Sequence, residues 1–140
     1  MSLLLLEQAV VAQLQPALPG LTVESYPDDP DGYTLLDPVG AVLVAVGNSR
    51  WSGIANQTGQ ERRVRIVVAV LTRNLATHTG AYSVMDRVLA ALLGWMPSVG
   101  EWQPLFAASD RFVEFRDGVW RHDMVFESAS YVVSQFNPCI

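Results

Sequence analysis

Gly40-Ala41-Val42-Leu43-Val44-Ala45-Val46 is an unbroken apolar run rich in valine. It is far too short to cross a bilayer, and it lacks the polar alternation of a strand with one wet face. A run of this kind reads as a strand covered on both sides. Residues 63–72 contain a second such run, Ile66-Val67-Val68-Ala69-Val70-Leu71. The two are predicted to lie at the centre of one sheet. Between them, Gly47-Asn48-Ser49-Arg50-Trp51-Ser52-Gly53 and the polar stretch through Gln60 show no period. That stretch reads as a long loop or as an extended hairpin arm.

Outward from this pair the pattern changes to helical. Leu3, Leu6, Val10, Leu14 and Ala17 recur at steps of three and four, which predicts an amphipathic helix over residues 2–18, stopped by Pro19-Gly20. Thr22-Val23-Glu24-Ser25-Tyr26 reads as a short strand running into the turn chemistry of Pro27-Asp28-Asp29-Pro30-Asp31-Gly32. Ala81, Val84, Met85, Val88, Leu92 and Trp95 mark a second helix, with Gly94 near its end and Pro97 beyond it. The last section reads as strands over residues 112–116 and 119–133, joined by Asp117-Gly118, a favoured tight hairpin turn. The expectation is a single α+β domain over residues 1–140. It has a mainly antiparallel sheet, sequential strands and two helices packed on one face.

Composition narrows the function. A chain of 140 residues, half of them apolar, can bury a core without disulfide or metal support. The formal charge of -5 and a pI near 4.8 argue against a protein whose main task is gripping phosphate. All nine basic residues are arginine, which suits bidentate pairing with carboxylates between subunits but equally follows from GC-rich coding. Cys139 has no partner for an internal disulfide and reads as an incidental thiol in a reducing compartment. The first residues lack a basic region ahead of their leucines, so no secretory signal is expected.

Sites of chemistry are hard to assemble from these residues. The acidic cluster 28–31 fails as a calcium loop, because placing Gly32 at the sixth position puts Pro27 and Pro38 where acidic ligands belong. His78 and His122 have no second histidine or cysteine at ligand spacing. No nucleophile elbow and no phosphate-binding glycine loop follows a predicted strand. No catalytic residue, metal or cofactor is assigned. A small enzyme would require a cleft bringing His122 and Asp123 to a nucleophile. Arg62-Arg63-Val64-Arg65 is the strongest local charge feature. It reads as a solvated strand end, an arginine interface or, less readily in an acidic protein, a nucleic-acid contact. Trp51 reads as core or as a contact anchor in a polar stretch.

The segment Leu18-Pro19-Gly20-Leu21, then Val23-Glu24-Ser25-Tyr26-Pro27-Asp28-Asp29-Pro30, then Pro38-Val39-Gly40-Ala41-Val42-Leu43-Val44 and the long stretch feeding Arg62-Arg63-Val64-Arg65-Ile66-Val67-Val68 resemble, in order and spacing, the tail terminator or tail completion proteins of Mu-like phages. What the resemblance implies is a non-enzymatic subunit of a virion tail, contractile in type and assembled in the host bacterial cytoplasm. Such subunits form a ring, usually hexameric, that caps the head-proximal end of the tail tube. The ring stops polymerisation and offers a head-tail joining surface. The implied partners are other copies of the chain, tail tube and sheath proteins and the head-tail connector, with DNA at most passing through the lumen and no membrane. Another tail or head-tail joining component is the alternative. For the subunit or tail interface the expected residues are Arg50, Trp51, Arg62, Arg63 and Arg65, facing carboxylates such as Asp29 and Asp31 of the next copy.

Overall fold

Ser2 opens the first helix, its Oγ accepting a hydrogen bond from the Leu5 N–H at 3.2 Å, which satisfies one of the free donors of the first turn. Helix α1 spans Leu3–Leu14 and buries Leu6, Val10 and Leu14. It is shorter than its apolar stripe suggests, because Pro16 has no N–H to continue the ladder. The chain instead tightens into turns in which Ala17 and Leu18 both donate to Leu14 O, and Leu18 is still delivered to the core. The computed structural model describes residues 2–28, 33–35, 37–52, 59–98 and 102–133.

Five strands follow: β1 (Thr22–Ser25), β2 (Gly40–Trp51), β3 (Gly59–Thr72), β4 (Phe106–Arg116) and β5 (Val119–Val133), with helix α2 (Ala81–Leu92) between β3 and β4. They form one sheet in the order β1-β2-β3-β5-β4. The α+β class and the mainly antiparallel sheet are as expected from the sequence. Two details of the strand arrangement differ. Strand β1 pairs with β2 in parallel, and β3 is flanked by β5 while β4 is pushed to the edge. The parallel pair is stabilised by Asp37: the Val39 and Gly40 N–H groups donate to its Oδ1 at 2.8 and 3.2 Å, and Thr22 Oγ1 donates to its Oδ2 at 2.9 Å. These bonds, that of Val39 foremost, hold the carboxyl below its ordinary pKa against the opposing effect of burial. Gly40 is required at the strand entry, since a Cβ there would sit 2.5 Å from Leu71 O.

Both helices cover one face of this sheet. Val42 stands opposite Val70, Val44 opposite Val68, and Ile66 opposite Phe126, and their side chains meet Leu6, Val10 and Leu14 of α1 and Val84, Val88 and Leu92 of α2 in one buried cluster. The alternation of strand side chains sends Leu43, Ala69 and Arg121 to the other, helix-free face. Helix α2 ends at Leu92, three residues before Trp95, because Gly94 takes a left-handed φ of 77° and its N–H is drawn to Leu105 O at 2.8 Å. The turn at Asp117-Gly118 has φ of 53° and 77°, the left-handed pair that a two-residue hairpin turn requires.

Candidate functional site

The polar stretch after Val46 is neither core nor featureless loop. A shift of register between Val46 and Ser49 is followed by renewed pairing of Ser49 with Val64, Arg50 with Arg63 and Trp51 with Arg62. Strands β2 and β3 therefore run on as a hairpin arm. Its described end is closed by Ser52, whose N–H donates to Glu61 O at 3.0 Å and whose carbonyl accepts from Gln60 Nε2. Arg63 and Arg65 share a strand face, as their spacing implies, and Arg50 stands with them across the ladder.

The arm concentrates positive charge. Arg50 lies directly across from Arg63, a like-charge pairing that weakens a sheet. Among the described residues Arg63 has an ion pair, with Glu61 at 3.4 Å, whereas Arg50, Arg62 and Arg65 have none. Arg62 instead donates to Ser49 Oγ at 3.2 Å and places its guanidinium over the Trp51 ring, 4.9 Å from the centroid. Trp51 is 45% exposed, so of its two sequence readings the core is excluded. Asp29 and Asp31 lie outside the described residues.

At the other end of the strands, on the helix-free face, lies a cleft of about 620 Å³ to whose lining Tyr26 and residues 33–35 contribute. Its floor is Leu43 and Leu71, and Tyr26 and Tyr33 stand on its walls. Arg73, Arg116 and Arg121 line it together with Glu114 and Asp117. Burial and then the carboxylates of Glu24 and Asp37 raise the pKa of the Tyr33 phenol. Arg73 donates to Leu35 O and Asp37 O at 3.1 and 3.3 Å, Arg121 makes two bonds to Asp123, at 3.1 and 3.4 Å, and Arg116 is largely exposed, 3.9 Å from Asp117. Sequence reasoning missed this cleft, because its lining is drawn from β2, β3, both strands of the final hairpin and a connection, with no local spacing in common.

A third exposed feature lies on the helix side of edge strand β4. Phe115, Trp120, Phe112, His122 and Tyr82 form a chain of ring contacts with successive centroid separations of 4.4, 5.9, 5.5 and 6.4 Å. Phe112, Phe115 and Tyr82 are each more than half exposed. A contiguous apolar row of this kind is typical of an interaction surface.

An acid–base centre is not assembled. His122 and Asp123 are successive strand residues and point to opposite faces, with His122 buried among rings and Asp123 held by Arg121. Burial lowers the His122 pKa, with Asp110 and then Asp123 opposing the shift. Among the described residues no group of three or more His, Cys, Asp or Glu side chains could hold a metal ion.

A search of curated proteins gives no match. Among solved structures the fold resembles a chain of the virion of a native gene transfer agent particle. The TM-score is 0.53 at 20% sequence identity, covering 89% of this chain and 84% of that one. The family model described as Gp37 protein matches residues 10–138, nearly the whole sequence, and the chain belongs to that family.

Proposed function

We propose that the protein is a structural, non-enzymatic virion subunit: a tail terminator that assembles into a six-membered ring on the head-proximal end of a tail tube. The observation that carries this reading is the shared fold, over most of both chains, with a component of a gene transfer agent virion. Family membership is consistent with it, and so is the surface. A ring needs a contact between two different patches of the same chain, so that rotation closes the assembly instead of extending it. The arm and the cleft are two such patches, the arm rich in arginine and the cleft bordered by carboxylates. The aromatic row along β4 is a third surface, available to the tube or the head-joining protein. In this account Arg50, Trp51, Arg62, Arg63 and Arg65 serve the contact between copies, with the carboxylates around residues 28–31 of the next copy receiving them.

Tail assembly without this chain tests the role. A terminator's absence gives tubes of uncontrolled length. Tubes of normal length that fail to acquire heads would assign the chain to joining instead, and tubes that never form would assign it to the tube or its initiation.

A further inference from the structure

We infer that the Trp51–Arg62 rung of the arm on one copy seats in the helix-free cleft of the next copy, forming a knob and a socket that make the ring contact directional. This rests on the ring reading above and names the surfaces it uses. Charge is the first argument. The arm carries Arg50, Arg62, Arg63 and Arg65 against Glu61 and against Glu127, which stands across from Arg65 on β5. The cleft lining holds Arg73, Arg116 and Arg121 with Glu114 and Asp117, and Glu24, Asp37 and Asp123 stand beside it, so that five carboxylates surround three guanidiniums. A basic projection and an acidic recess on one chain attract each other between copies and orient the encounter.

Shape is the second argument. The cleft has the volume of a pocket that seats a drug-sized group, about 300–1,000 Å³, and it offers an aliphatic floor with aromatic walls. Tryptophan and arginine are among the residues most enriched as interface anchors. A copy cannot fill its own socket. Arg62 and Leu71 are both on β3, and at about 3.3 Å per residue they stand roughly 30 Å apart. Trp51 pairs with Arg62 on the helix side of the sheet, while the cleft opens on the helix-free side. The front of one copy therefore meets the back of the next, which is a head-to-tail contact and not a two-fold one.

The experiment uses two variants of the full chain. One carries Trp51→Ala with Arg62→Glu and lacks the knob. The other carries Thr34→Trp, a substitution at an exposed residue lining the cleft, and lacks the socket. Sedimentation velocity of each alone should show monomers, with self-association weakened at least about thirtyfold, the scale of losing a hot spot. An equimolar mixture should give one-to-one dimers and nothing larger, because only one intact knob and one intact socket remain per pair. That capture also shows that both variants are folded, and Arg62→Glu alone serves as a second arm variant. If the parent forms rings and the variants do too, or if the mixture stays monomeric while the parent assembles, the knob and socket are wrong and the ring reading stands. A parent that stays monomeric at every concentration overturns both.

Discussion

Arg62 and Trp51 face each other on the last described rung of the β2–β3 ladder, with the guanidinium carbon 4.9 Å from the indole centroid. The pair lies beyond the helix-covered core, where a large ring gives little to folding. Trp51→Ala is therefore expected to cost only about 0.5–1 kcal/mol in a urea titration, the value of an exposed cation–π contact. A loss of several kcal/mol would mean that the arm is part of the core and would remove its claim to be a contact anchor.

Leu92 sits at the other extreme. It is fully buried where α2 meets the sheet, and truncation leaves a cavity that its neighbours cannot close. Leu92→Ala should cost about 2–5 kcal/mol and lower the melting midpoint accordingly. An unchanged midpoint would contradict the placement of both helices on one face.

His122 gives the fold a pH dependence of definite sign. Its native pKa is lowered by burial against Phe112 and Tyr82, so below its ordinary value near 6.5 the unfolded chain binds the proton more readily. Stability is then complete above that value and falls as pH drops from there toward the native pKa. His122→Phe keeps a ring in the aromatic row and should flatten the stability curve below about pH 6.5. The same slope in both proteins would assign the acid sensitivity to other groups, such as the Asp37 carboxylate at lower pH.

Gly118 has a φ of 77° in the turn that joins β4 to β5. Gly118→Ala should cost about 1–2 kcal/mol by placing a side chain in left-handed backbone. No loss on chemical denaturation would show that the turn relaxes to another type.

The parts of the fold that were legible in the sequence are those where one local signal decides. The runs through Val44 and Val68 marked the central strands, the stripe from Leu6 to Leu14 marked a helix, and Asp117-Gly118 marked a hairpin. Strand order was not legible, because the parallel pairing of β1 with β2 depends on Asp37 reaching Thr22, fifteen residues back in the chain. The apolar period also overran α1, since it continues through Pro16 while the hydrogen-bond ladder cannot. The arm residues were visible as a cluster of arginines around a misplaced tryptophan. The cleft was not, because tertiary structure alone brings Tyr26, Leu71 and Arg121 together.

The central claim is that this chain closes into a ring at one place in a tail, and the most direct measurement is a cryo-electron microscopy map of the assembled particle at a resolution that identifies side chains. The account predicts one ring of this chain between the last tube layer and the head connector, with Trp51 of each copy in the cleft of its neighbour. Density for the chain repeated along the tube, or at the distal tip, would contradict it.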